Sequence, residues 1–177
     1  MTFIGPSVHQ ALAGPVAPPC ALIVDWLKKK DRVAKVALGL DEKGISSAYI
    51  LLSSLQNSDD GDILSLADIV LGLKPKLVLI HLSSFFNQMK GRDNVSMAKF
   101  LTLVEANRDA SYLPKFVVYS RAALRTGDIG EWMDAPNDTF ADRVSLLHVR
   151  GGSDKEDAEV ILKSIGSLGK QECSASE

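Results

Sequence analysis

Residues 74–82 are KPKLVLIHL, and this stretch decides how the rest of the chain is interpreted. Its four consecutive apolar residues, 77–80, are typical of a strand buried on both faces of a parallel sheet. Lys74 and Pro75 end the segment before it, since proline disfavours helix in the residue that precedes it. That segment has apolar residues at the spacing of one helix face: Ile63, Leu66, Ala67, Val70 and Leu71.

The alternation of helix and strand extends in both directions from this stretch. Short apolar runs predict further strands at 20–24, 48–52, 116–119 and 144–149. Apolar residues at helical spacing predict helices over 33–40, 97–104 and 158–165. Gly44 is expected to end the first of these, and Ser153 with Glu156 should form a capping box at the start of the last.

Parallel neighbours need crossover helices that cover both faces of the sheet. The pattern therefore predicts a single doubly wound α/β domain of the flavodoxin-like type, with a five-stranded parallel sheet. The proline- and glycine-rich residues 1–19 should be a flexible arm, residues 20–168 the domain, and residues 169–177 a polar tail beginning at Gly169. Between the last two strands we expect at most one short helix, around 129–133.

Composition excludes several classes of function. A formal net charge of −2 gives no surface for nucleic acid, and the basic run 28–30 is best explained as the solvated face of a helix. No apolar run is long enough to span a membrane, and no secretory signal is recognisable. Cys20 and Cys173 lack metal-ligand spacing, and no disulfide is predicted between them. A reducing cytoplasm is the expected location.

Chemistry in such sheets lies beyond the carboxyl ends of the strands. The polar or aromatic side chains predicted there are Asp25, Trp26, Ser53, Ser54, His81, Ser83, Ser84, Ser120, Arg121 and Arg150. No phosphate-binding glycine loop and no nucleophile elbow accompany them.

These strand ends resemble those of the response-regulator receiver family. The resemblance rests on residues 21–25, 74–82 and 113–120, and it covers roughly 20–168. It implies a CheY-like fold in which an acidic pair after the first strand and an aspartate after the third hold magnesium, the aspartate also being the phosphoryl acceptor. Here Asp25 keeps one acidic position, but Trp26 occupies the second and His81 stands at the acceptor position.

Two further positions depart from the pattern that the resemblance implies. Ser120 matches the hydroxyl residue after the fourth strand, but Arg121 follows it where a small residue is usual. Arg150 is the cation nearest to the family's lysine and is a candidate partner for Asp25. With two of three carboxylates replaced, we expect no magnesium binding, no acyl-phosphate chemistry, no cofactor and no enzymatic activity.

The first hypothesis is therefore a degenerate pseudo-receiver of a two-component or phosphorelay pathway, acting by protein–protein interaction without phosphorylation. Its expected partners are a histidine kinase, another regulator or an effector, and a homodimer is also considered. The last helix and the loop 83–93 are the candidate contact surfaces.

The alternative is a nucleotide-like small-molecule sensor or an enzyme that uses the strand-end crevice. An Asp, Ser and His triad at Asp25, Ser120 and His81 is not adopted, because sequence shows neither the hydrogen bonds nor the oxyanion hole that it needs. A third hypothesis is a sensor of pH, through His81, or of redox state. For His81, a structural hydrogen-bonding role is the simpler interpretation.

Overall fold

The computed structural model of the protein describes residues 18–52, 60–81, 93–120, 140 and 142–173. The strands are β1 (Ala21–Trp26), β2 (Ser47–Leu52), β3 (Leu77–His81), β4 (Lys115–Ser120) and β5 (Val144–His148). The helices are α1 (Lys30–Glu42), α2 (Asp60–Leu73), α3 (Asp93–Asn107) and α4 (Asp154–Cys173). A short 3-10 helix, Leu27–Lys29, leads from β1 into α1.

The five strands form one sheet in which every neighbouring pair is parallel, in the order β2-β1-β3-β4-β5. This confirms the predicted flavodoxin-like α/β fold. The register pairs Val24 with Ile80 and Ile80 with Val118, so β1, β3 and β4 end side by side in the middle of the sheet. The residues that follow these pairs are therefore neighbours at the carboxyl ends of the central strands.

Alternate residues of the central strands enter two hydrophobic cores. In β1, Leu22 and Val24 belong to the core under α2 and α3. Ala21 and Ile23 belong to the core under α1 and α4. Burial on both faces explains why these strands are apolar without alternation. None of the helices in the described part of the chain is long and apolar enough to cross a membrane.

Two predicted helix ends are confirmed. Gly44 has a φ of 75°, and the amides of Gly44 and Ile45 donate to the carbonyls of Asp41 and Leu40, which is the Schellman arrangement. At the start of α4, the Glu156 amide donates to Ser153 Oγ at 3.2 Å. The Ser153 amide donates in return to Glu156 Oε2 at 3.2 Å, completing the capping box.

The predicted end of α4 is wrong. The helix continues through Gly169 to Cys173, so the residues assigned to a polar tail from 169 onward begin as helix. Gly169 is buried, and a Cβ there would lie only 2.7 Å from Cδ1 of Ile45. The glycine therefore permits a close approach of the helix to the segment before β2, and does not stop the helix.

The prediction for the cysteines is also wrong, for the same reason. The extra turn of α4 carries Cys173 to the start of β1, where it forms a disulfide with Cys20 across 153 residues of sequence. The two Cα atoms lie 5.8 Å apart, inside the usual range for a disulfide. The expectation of unpaired thiols assumed a polar tail that does not fold back onto the sheet.

The arm up to residue 17, the helix expected around 129–133, and Ser53, Ser54 and Arg121 lie outside the described residues. So does all of the loop after His81 except Asp93, which begins α3.

Candidate functional site

Asp25, at the end of β1, is the centre of the strand-end cluster. Its side chain is fully buried, and it forms a two-point ion pair with Arg32 from the first turn of α1. Arg32 Nη2 donates to Oδ1 at 2.8 Å, and Nε donates to Oδ2 at 2.9 Å. This fork geometry is the strongest way in which arginine holds a carboxylate.

Two more donors complete the shell of this carboxylate. The hydroxyl of Tyr119, in β4, donates to Oδ2 at 2.8 Å. The backbone amide of Trp26 donates to Oδ1 at 2.7 Å. A carboxylate has about four acceptor positions. All of those on Asp25 are therefore used within the protein.

Arg32 connects this cluster to the last helix. Its Nη1 lies 3.3 Å from Oδ2 of Asp157, in α4. The other oxygen of Asp157 accepts a hydrogen bond from the amide of Gly151 at 3.1 Å. Arg32 and Asp157 are 1% and 2% exposed, so the network joins β1, β4, α1 and α4 out of contact with solvent.

The surroundings fix the charge states of the donors. Burial alone would lower the pKa of the Arg32 guanidinium, but the hydrogen bonds and negative charge of Asp25, with a smaller effect of Asp157, raise it above its ordinary value. Burial, followed by the charge of Asp25, raises the pKa of the Tyr119 phenol well above 10. Arg32 is thus a permanent cation, and Tyr119 a permanent neutral donor.

His81 lies beside this network at the end of β3. Its Nδ1 is 3.6 Å from Oδ1 of Asp25, and its ring centroid is 5.2 Å from that of Tyr119. The side chain of His81 is buried. The structure thus brings together Asp25 and His81, as the sequence predicts.

Trp26 is half-buried, and Lys28 Nζ lies over its ring, 4.3 Å from the centroid. Ser120 ends β4 in a buried position, and its carbonyl accepts a hydrogen bond from the Val149 amide at 2.9 Å.

Arg150 was predicted as a candidate partner for Asp25, and the structure corrects this. The side chain is exposed after β5, whereas Arg32 occupies the position next to the carboxylate. The guanidinium on α1 presents one edge, Nε and Nη2, to the two carboxylate oxygens of Asp25.

Three residues of this network were not predicted as site residues from the sequence: Arg32, Tyr119 and Asp157. The signal for Arg32 was present, because it lies four and eight residues before Val36 and Leu40 on the buried stripe of α1. An arginine on an apolar stripe needs a buried counter-charge. Tyr119 and Asp157 carried no such signal, because their roles depend on contacts with residues 94 and 125 positions away.

The magnesium site implied by the receiver resemblance does not fit these residues. Magnesium requires hard oxygen ligands with free lone pairs. The lone pairs of Asp25 are taken, and an indole and an imidazole stand at the other two positions. Within the described ranges, no group of three or more metal-ligating side chains is found.

Comparisons with known proteins do not assign a family. No family model matches the sequence, and no curated protein is significantly similar to it.

Proposed function

We propose that this chain is a receiver-like signalling module that does not use phosphorylation, is not an enzyme, and acts in the cytoplasm by binding other proteins. The observation that carries the proposal is the saturated carboxylate of Asp25. Its oxygens accept from two nitrogens of Arg32, from the Tyr119 hydroxyl and from the Trp26 amide. The residue that would hold the metal is committed to an internal ion pair.

Freeing Asp25 for a metal would be costly. Breaking a buried ion pair leaves an uncompensated charge, which typically costs about 3–5 kcal/mol. Arg32 is 1% exposed and would also leave Asp157 without its cation. A weakly bound, strongly hydrated ion such as magnesium is a poor competitor for that site.

The position of the acceptor supports the same proposal. An acyl phosphate forms on a carboxylate, and His81 supplies an imidazole in its place. The proposed partners remain those of a two-component or phosphorelay pathway: a histidine kinase, another regulator or an effector. In a module of this kind, the identity of the bound partner would carry the signal. In the cytoplasm its disulfide would form only under oxidising conditions.

Incubation with acetyl phosphate and magnesium, followed by intact mass spectrometry at neutral pH, tests the proposal. We expect no adduct on the native protein. We also expect none on His81→Asp, which restores the acceptor carboxylate but leaves Asp25 bound to Arg32. A phosphoryl adduct on the native chain contradicts the proposal.

A second measurement distinguishes the proposed protein-binding function from the alternative of a small-molecule site. A panel of nucleotides should leave the melting temperature of the native protein unchanged. A thermal shift that is present in the native protein and lost in His81→Ala would instead support a ligand at the strand ends, since His81 is the buried polar residue beside Asp25 there.

A further inference from the structure

The outer surface of α1 and α4 forms a shallow groove of about 240 Å³ on the side of the sheet that holds the strand-end ion pair. We call it the α1–α4 face. The side chains that define it are Lys35, Leu38, Glu42, Lys155, Glu159 and Leu162.

The two helices of this face run in the same direction and approach closely. The contacts of α1 and of the segment just after it with α4 follow one order along the sequence: Arg32 with Asp157, Gly39 with Leu162, and Ile45 with Gly169. A Cβ on Gly39 would lie 3.1 Å from Cγ of Leu162. The floor of the groove is thus a tight helix contact, and the side chains on its rim project outward.

Leu38 is the most exposed large apolar side chain in the described part of the chain, at 60%. It lies one turn after Lys35 and one turn before Glu42, and both of these are exposed. The row along α1 is therefore positive, apolar and negative, in that order.

This charge order is complementary to itself. A two-fold axis through Leu38 and perpendicular to α1 reverses the row, because a two-fold interface places the same patch on both sides. Lys35 of one copy then faces Glu42 of the other, twice, around a central contact of the two Leu38 side chains. A net charge of only −2 per chain opposes this association weakly.

We propose that the α1–α4 face is a homodimer interface, with antiparallel α1 helices paired across Leu38. The proposal deepens the protein-binding function proposed above, on which it rests, by naming a second copy of this chain as a partner.

Sedimentation equilibrium of the purified full chain over a range of concentrations tests the interface. We expect reversible self-association of the native protein, weakened at least about tenfold by Leu38→Lys, since a central charge is buried against its own copy. Leu64→Lys is the matched control, because Leu64 is 47% exposed on α2, on the other side of the sheet. It should associate like the native protein.

A charge exchange tests the two-fold geometry itself. Lys35→Glu and Glu42→Lys should each weaken association, whereas the double variant should restore it, because the exchanged pairs again face opposite charges. A native monomer at every concentration, equal effects of Leu38→Lys and Leu64→Lys, or no rescue in the double variant overturns the interface. None of these results bears on the phosphorylation test, so the two proposals fail separately.

Discussion

Two ion-pair clusters lie at opposite ends of the sheet, and they are built differently. At the carboxyl ends, the Asp25 carboxylate receives four hydrogen bonds and is fully buried. At the amino ends of β4 and β5, Glu105 Oε2 accepts from Arg143 Nη2 at 2.7 Å and from Arg108 Nε at 2.9 Å. In this second cluster, Glu105 Oε1 and Arg143 Nε are buried without hydrogen-bond partners.

The two clusters differ in how completely their buried polar atoms are hydrogen-bonded and in the end of the sheet at which they lie. The amino-end cluster is incompletely satisfied, and its Arg143 mainly ties the turn at Pro114 to β5 by donating to the Pro114 carbonyl at 3.0 Å. Ligand sites do not form at that end of a doubly wound sheet. The end where such sites do form carries the more complete cluster. Protein donors occupy all of the acceptor positions of Asp25, as the proposed loss of phosphorylation requires.

Removing the charge of Asp25 should have the largest effect. Asp25→Asn leaves Arg32 buried beside a neutral amide, and we expect a loss of about 3–5 kcal/mol in the free energy of unfolding, measured by urea denaturation. Glu105→Gln, the counterpart in the amino-end cluster, should cost less, because Glu105 is partly solvated and only one of its oxygens is bonded.

A double variant distinguishes lost attraction from a stranded charge. Asp25→Leu with Arg32→Met should be less destabilising than the sum of the two single variants, because no buried charge of this pair then lacks its partner. Strict additivity would show that the two side chains contribute independently, which contradicts a coupled ion pair at the carboxyl ends.

The disulfide should have the next largest effect, and it lies apart from both clusters. Cys173→Ser removes a link that closes 153 residues, and we expect a loss of about 2–4 kcal/mol under oxidising conditions. A thiol reductant should lower the stability of the native protein by a similar amount and leave the variant unchanged. If the reductant has no effect on the native protein, the link contributes nothing to stability.

Tyr119→Phe should have a smaller effect, since it removes one donor to a buried carboxylate and keeps the ring. Hydrogen bonds to charged groups are worth about 1.5–3 kcal/mol, and we expect a loss near the lower end because Arg32 remains bound to Asp25. Tyr112→Phe is the matched control, as its hydroxyl donates to the uncharged Pro75 carbonyl. If the two variants cost the same, the carboxyl-end cluster has no special dependence on its fourth donor.

Features that depend on local sequence pattern could be predicted, whereas those that depend on long-range contacts could not. Apolar runs and helical stripes predicted the five strands and four helices of the described part of the chain, because burial on two faces or on one stripe leaves a periodicity in the sequence. Asp25 and His81 were correctly placed together, because parallel strand ends must meet. The link from Arg32 to Asp157 was not predictable, since nothing in either segment specifies a partner 125 residues away.

Gly169 shows the limit of local rules in another way. A glycine near the end of an apolar stripe is usually a helix stop. Here the contact with Ile45 gives it a different role, and that contact involves a residue 124 positions earlier, so the rule assigned the end of α4 and the state of Cys173 wrongly.

The smallest expected effect is the pH dependence of the amino-end cluster. Burial would raise the pKa of Glu105, but the hydrogen bonds and charges of Arg143 and Arg108 outweigh it and lower the pKa below 4.5. A carboxyl whose pKa is depressed on folding contributes stability above its unfolded pKa, and this contribution is lost as the pH falls through the folded value.

The native protein should therefore lose more stability than Glu105→Gln as the pH falls below about 4.5, and the two curves of unfolding free energy should converge in acid. Urea denaturation in steps from neutral to acidic pH measures this. Curves that stay parallel would mean that Arg143 and Arg108 stabilise the neutral acid as well as the carboxylate. The amino-end cluster would then be held together by packing and the bond to Pro114, which would widen its contrast with the charge-based closure around Asp25.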